Sequence, residues 1–458
     1  MATHFSMTRD EAQQLTKRIL SFATVREIQV SVVAGRRSHL RFARNSPTTS
    51  GTSDSTAITV IVWKGKRKAS ASATLSARGG SADSALRALV AEAETLAALS
   101  PEDPEYMPLL GPQEYLEVKA YDAETAEMPA AARAKAVGEA LAVARSKKLV
   151  AAGILRNYGV YHALANSAGL FAYFPSSTAS FSITARTADG SGSSYAETSS
   201  VSMKSVDCRE TAAIAVKRAL DSRGARELPP GDYPAILEPQ ALADMATSLL
   251  FALNARPADE GRSVFSAPGG KTRIGERIFD PRVNIYTDPQ HSVVPASSFS
   301  GDGFPTAKAY LARNGVLENL SHTRYWAKQR GRPPGPFFVN LIMDGEGKPI
   351  SEMIASMERG ILLTRLWYLR MVDPQQALVT GLTRDGTFYI EGGKIQHPVK
   401  NFRFNESLVR LLGQVELLGT PQRVMQSENI SFGDGGMRMM LPAMKVRSFR
   451  FTSVSDAV

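Results

Sequence analysis

Twice along this sequence a helical hydrophobic period gives way to strict alternation and then returns to a helix. Beyond residue 229 that rhythm stops. Thr8-Arg9-Asp10-Glu11 places a hydroxyl and a carboxylate three apart, a capping box, and Ala12, Leu15, Ile19 and Leu20 follow at helical spacing. Ile28, Val30 and Val32, then Leu40 and Phe42, alternate with polar neighbours and predict half-buried strands. Ala57–Trp63, a turn at Lys64-Gly65-Lys66 and Lys68–Leu75 predict a hairpin; Ser81 is expected to cap an alanine-rich helix ending near Leu99. Pro101, Pro104, Pro108 and Pro112 remove backbone donors and mark a connector. The order then repeats: a helix over Ala130–Lys148, strands over Val150–Asn157, Tyr161–Asn166, Leu170–Phe174, Phe181–Thr187 and Thr198–Ser205, and a helix over Arg209–Ser222.

From about Asp232 the chain reads differently. Helices are expected near Pro239–Ala255 and Ser351–Gly360. The rest is short strands separated by glycine turns such as Asp344-Gly345-Glu346-Gly347 and Glu391-Gly392-Gly393-Lys394. The fold class is therefore α+β: a first strand-helix module over 1–112, a second over 113–228, and a β-rich, barrel- or sandwich-like domain over 229–458.

Charge and composition narrow the function classes. Lys plus Arg number 54 against 44 Asp plus Glu, a formal net charge of +10, but the basic residues are scattered. Arg36–Arg37, Lys64–Lys68 and Arg324–Arg332 read as solvated faces, and no nucleic-acid-binding motif accompanies them, so nucleic acid is not the expected partner. No stretch approaches the ~20 apolar residues that cross a bilayer, and the N-terminus shows no apolar leader, so a cytoplasmic protein is expected. A single cysteine, Cys208, excludes an intrachain disulfide framework and a thiolate-rich zinc site.

The common catalytic patterns fail one by one. Pro268-Gly269-Gly270-Lys271-Thr272 ends like a phosphate loop, but Phe265 stands where that loop needs its first glycine. The histidines at 4, 39, 162, 291, 322 and 397 include no pair at helical ligand spacing. Cys208 follows Asp207, which opposes thiolate formation. Asp288, His291 and Asp302 share a loop-rich stretch, where turn chemistry is the simpler reading than acid–base catalysis.

Longer patterns resemble one family. Ser300-Gly301-Asp302-Gly303-Phe304-Pro305-Thr306, Asn314-Gly315-Val316-Leu317 and Arg324-Tyr325-Trp326-Ala327 are similar to the central signature of the TldD/PmbA (TldE) family. Asn166-Ser167-Ala168-Gly169, Ile236-Leu237-Glu238-Pro239, Ser263-Val264-Phe265-Ser266, the 351–363 segment, Ile390–Ile395 and Pro398–Phe402 extend the resemblance in collinear order. It implies a two-chain protease, homodimeric or a TldD–TldE heterodimer, that acts on unfolded or modified peptides. In TldD-like chains two histidines on the helix after the Glu-Pro strand end, with a distant cysteine, hold zinc, and a glutamate beside the first histidine activates the metal-bound water; TldE/PmbA-like chains lack them.

Here the corresponding helix reads Asp244–Ala255, with Ala246 and Phe251 at the histidine positions and Thr247 at the glutamate. No cysteine occurs in Ser431–Phe451. The resemblance therefore implies no catalytic residue and no metal in this chain, with zinc held by a TldD-like partner. Leu242, Met245, Leu249, Leu250 and Leu253 form an apolar stripe consistent with a core helix. The expected function is a zinc-free subunit of a metallopeptidase complex that shapes the peptide groove; the alternative is a stand-alone peptide- or protein-binding pseudoenzyme. Gly301, Asp302, Gly303, Phe304, Arg324 and Tyr325 are the candidates for lining that groove.

Overall fold

The computed structural model describes residues 5–76, 83–425 and 437–455. Ser81, expected as a helix cap, lies outside the described residues. The capping box forms as its spacing requires: the Thr8 hydroxyl accepts from Glu11 N–H, Glu11 reaches back to Thr8 N–H, and helix α1 runs Arg9–Leu20.

One antiparallel sheet spans both expected modules. Its order is β3 (Arg67–Ser76), β2 (Ser46–Lys64), β1 (Glu27–Ala43), β4 (Val150–Asn166), β5 (Phe171–Arg186) and β6 (Ser193–Ser200). β1 joins the halves, pairing with β4 from Gln29↔Asn166 to Phe42↔Gly153. The short strands expected in 150–187 are two long ones. Gly159, Ser176 and Ser177 do not break them, because each is paired across the ladder.

The period-two rule then sets two different faces. Ile28, Val30, Val32, Ala34, Leu40 and Phe42 all point one way from β1 and are buried. Helices α1 and α2 (Asp83–Leu99) cover the first part of that face. After the short α3 (Ala123–Ala126), α4 (Ala130–Ser146) and α5 (Cys208–Asp221) cover the second. The opposite face carries Leu164 and Ala172, which pack against Phe299. Arg36, expected on a solvated face, is instead clamped between Asp54 and Glu127, with its side chain 12% exposed.

The region from Gly231 holds two larger sheets and a hairpin, β8 (Ser266–Ala267) with β9 (Lys271–Thr272). The six-stranded sheet runs β12 (Val316–Leu317), β11 (Ala309–Arg313), β10 (Ile285–Thr287), β13 (Leu341–Met343), β22 (Met439–Leu441), β21 (Gln422–Val424). The nine-stranded sheet runs β15 (Leu366–Asp373), β16 (Leu378–Thr383), β19 (Phe402–Ser407), β23 (Met444–Val454), β7 (Gly231–Leu237), β14 (Arg359–Leu363), β17 (Thr387–Glu391), β18 (Lys394–Pro398), with β20 (Val415–Leu418) on β23. Helix α6 (Pro239–Ala252) shares their common core with Phe402, Phe404, Phe449 and Phe451; α7 (Ala255–Asp259), α8 (Arg324–Arg330), α9 (Ile350–Ala355) and α10 (Leu408–Leu412) are short. The helix expected over Ser351–Gly360 stops at Ala355. Residues 359–363 pair with β7 and β17 instead, and a side chain at Gly360 would come within 2.6 Å of the Pro234 carbonyl.

Candidate functional site

Helix α6 starts at Glu238-Pro239, with proline at a position that needs no N–H. Its flank is dry: Ala241, Ala243 and Met245 are fully buried, and Ala246 and Leu249 are each 1% exposed. Ala246 is thus sealed in the core and offers no ligand atom. Phe251 faces outward, 59% exposed. Thr247 lies on the helix between them.

The nearby carboxylates are committed. Asp244 Oδ2 accepts the Leu366 N–H at 3.0 Å and Oδ1 accepts Gln240 Nε2 at 3.2 Å. Arg218 Nη2 donates to both oxygens of Glu238, at 2.8 and 2.6 Å, tying α5 to the start of α6. Burial pushes the Glu238 carboxyl up and Arg218 opposes it. Among the described residues no three His, Cys, Asp or Glu side chains converge to hold a metal. The methyl of Ala246 and the phenyl of Phe251, where the resemblance expects histidines, cannot ligate a zinc ion.

A cleft of about 400 Å³ remains beside Phe251, lined also by Ser248, Arg262, Met371, Pro374 and Ala377. Met371 belongs to β15, the end strand of its sheet, where Tyr368 and Val372 are each 54% exposed. Sequence reasoning passed over this strand, because alternation marks a strand without showing whether it lies at an edge.

At the other end of α6 a layer of buried charge joins the first sheet to the C-terminal region. Glu197 on β6 accepts from Tyr195 Oη at 2.9 Å and from Met425 N–H at 2.8 Å. Burial pushes its carboxyl up to about 7. Arg365 Nη1 donates to Asp385 at 2.6 Å, and its guanidinium lies 4.0 Å from the Tyr195 ring centroid. Asp385 also accepts from Ser193 Oγ at 2.7 Å. Arg423 donates to Ser199 Oγ and the Val293 carbonyl, and Arg438 to the Thr178 hydroxyl and Ser177 carbonyl. Burial pulls these two guanidiniums down to about 9 and about 10, Arg423 with help from Arg438. No local motif could announce this layer: its members are far apart in sequence.

Of the six groove candidates, Gly301, Gly303 and Arg324 meet the first part at a second seam, and none of the six lines the cleft beside Phe251. Gly303 adopts φ +84°, its carbonyl accepts from Tyr115 Oη at 2.8 Å, and a side chain there would strike Leu170 at 2.6 Å. Gln29 Nε2 reaches the Gly301 carbonyl at 3.4 Å. Asp302 accepts from Ser300 Oγ and lies 3.9 Å from Arg324, which donates to the Pro108 carbonyl at 2.7 Å. Phe304 packs edge-on to Phe337, and Tyr325 is half-buried on α8.

The other sequence candidates separate. His291 Nδ1 accepts the Val293 and Val294 N–H groups within its own turn, and the His291 main-chain N–H donates to the Asp288 carbonyl, while Asp302 belongs to the Arg324 cluster. Cys208 is buried at the start of α5, and burial with Asp207 pushes its thiol up to about 12.

Comparison with known proteins adds sequence relationships to this geometry. A family model described as the PmbA/TldA metallopeptidase C-terminal domain matches residues 230–453, and the models of that family's domain 1 and central domain match 29–97 and 116–223. A metalloprotease of Methanothermobacter thermautotrophicus is 24% identical over 202 residues, which are 38% of this chain and 41% of that protein. The chain thus matches less than half the length of that relative. TldE from Thermococcus kodakarensis superposes with a TM-score of 0.83 at 18% identity, over 96% of this chain and 99% of that one. A Bacteroides thetaiotaomicron protein described as a candidate modulator of DNA gyrase superposes at 0.81 with 17% identity, over 98% and 100%. At these identities the structural likeness is one of fold.

Proposed function

The chain belongs to the PmbA/TldD metallopeptidase family, and on that premise we propose that it is a zinc-free, TldE-like subunit of a two-chain peptidase acting on unfolded or modified peptides. One observation carries the reading. On α6 the position where the resemblance expects the first zinc histidine is an alanine sealed in the core, and the position where it expects the second is a phenylalanine facing an open cleft. This chain offers a cleft there but no zinc-ligating side chain at either position.

In this reading the zinc, which would supply an activated water, belongs to a TldD-like partner. This chain contributes a surface for an extended peptide. A peptide adds most readily at the end strand of a sheet, and β15 beside Phe251 is an end strand. Gly301, Asp302, Gly303, Phe304, Arg324 and Tyr325 lie outside the cleft beside Phe251; among them Gly303 and Arg324 hold the connector at Tyr115 and Pro108 against the C-terminal region. No helix among the described residues is long and apolar enough to cross a membrane, and we place the complex in the cytoplasm.

Co-expression with a TldD-like chain, followed by native mass and zinc measurement, tests the reading. The expected result is a complex whose zinc follows the partner and whose peptide cleavage needs both chains. Stoichiometric zinc and peptide cleavage by this chain alone would overturn it.

A further inference from the structure

The Gly269-Gly270-Lys271-Thr272 segment lacks the build of a phosphate loop, yet the fold sets it opposite two arginines. β8 and β9 pair Ser266 with Thr272 and Ala267 with Lys271, so residues 268–270 form a hairpin turn. Between this hairpin, the 318–322 segment, the end of α8 and the 331–336 loop opens a cleft of about 710 Å³. Its charged lining is Lys271, Arg330, Arg332, Asp259 and Glu318.

Both carboxylates are already engaged. Asp259 accepts from Trp326 Nε1 at 2.7 Å and lies 3.6 Å from Arg330 Nε. Glu318 lies 3.1 Å from Arg313. Among the described residues no carboxylate pairs with Lys271 or Arg332. Arg332 is steadied by a neutral group instead. Its Nη1 donates to His322 Nε2 at 3.3 Å, and His322 Nδ1–H donates to the Leu320 carbonyl at 2.9 Å. His322 lines the cleft and is only 5% exposed, so its ring is fixed. An arginine held by a carboxylate has spent its charge; one held by a neutral imidazole keeps it for a ligand.

We propose that this cleft binds an oxyanion, phosphate or carboxylate, between Lys271 and Arg332, with the Thr272 hydroxyl as a further donor. The site uses no residue of α6 or β15 and stands whether or not the peptidase reading holds. A planar guanidinium fork and a flexible ammonium together suit an anion that offers several oxygens.

Isothermal titration of the full chain at low salt tests it, with inorganic phosphate as one probe and a capped glutamate pentapeptide as the other. At least one probe is expected to saturate with a Kd below about 1 mM. Tighter phosphate binding assigns the site to phosphate; tighter peptide binding assigns it to carboxylates. Lys271→Ala and Arg332→Gln are each expected to weaken binding about tenfold, and Lys64→Ala, remote on the first hairpin, to leave it unchanged. Lys271 is exposed, so its replacement tests the site without threatening the fold. The proposal is overturned if neither probe saturates, if the Lys271→Ala variant binds as the parent does, or if Lys64→Ala loses as much.

Discussion

The flank and the N-terminal end of helix α6 are held by opposite means. The flank is hydrocarbon: Ala241, Leu242, Met245, Ala246 and Leu249, none more than 2% exposed, with no polar contact to orient. The end meets buried charge, with Asp244 and Gln240 beside Glu197, Arg365 and Arg423. Apolar contacts tolerate drift along the helix, whereas paired charges fix one register. The apolar flank therefore buries α6, and the charged end fixes its place against the first sheet.

The charged end should be the more fragile to single changes. Arg365→Ala removes the main partner of Asp385, a carboxylate 7% exposed, and leaves Arg384 at 3.8 Å and Ser193. A loss of about 3 kcal/mol is expected in urea denaturation. A loss under about 1 kcal/mol would show that the layer is solvated and the contrast false. Leu249→Ala tests the dry flank. It should cost about 2–3 kcal/mol through lost burial and the cavity left behind, without changing the pH dependence of stability.

Glu197 sharpens the contrast through pH. Its folded pKa of about 7 lies above the ordinary 4.5, because burial disfavours the carboxylate. The folded protein therefore binds more protons than the unfolded one between those values. The stabilisation is fully present below about 4.5 and is lost as pH rises to about 7. The charges facing Glu197 are Asp244, which deepens the penalty, and Arg365 and Arg423, which offset it. Glu197→Gln should gain up to about 3 kcal/mol at pH 8 relative to the parent and little at pH 4, read from denaturation at both values. An equal effect at both would place the carboxyl in water.

What could be read in the sequence follows from the range of each signal. Capping at Thr8–Glu11, the hairpin at Lys64–Lys66 and the stripe of α6 are set by residues within a few positions of one another, and the structure has them. The family resemblance was likewise legible, because it rests on strings of adjacent residues. The single sheet across 27–200 was not, since the β1–β4 pairing joins residues more than a hundred apart and no local pattern names a partner strand. The ion pairs at Arg36, Glu238 and Asp385 were hidden for the same reason. A charge reads as solvated until its opposite arrives from elsewhere.

The smallest effect should come from the position where the family resemblance expects the second histidine. Phe251 is 59% exposed at the rim of the cleft, so Phe251→Ser removes little buried surface from this chain. Thermal or urea denaturation of the isolated chain should move by no more than about 0.5 kcal/mol. The same substitution in a complex with a TldD-like chain should matter more, because an exposed phenyl next to an edge strand is placed to be covered by peptide or partner. The expected readout is a rise in KM for peptide with little change in kcat, since Phe251 would bind the ground and transition states alike. If the isolated chain loses as much stability as Leu249→Ala, Phe251 is core and the cleft is closed. If stability and KM are both unmoved, Phe251 has no binding role in the complex.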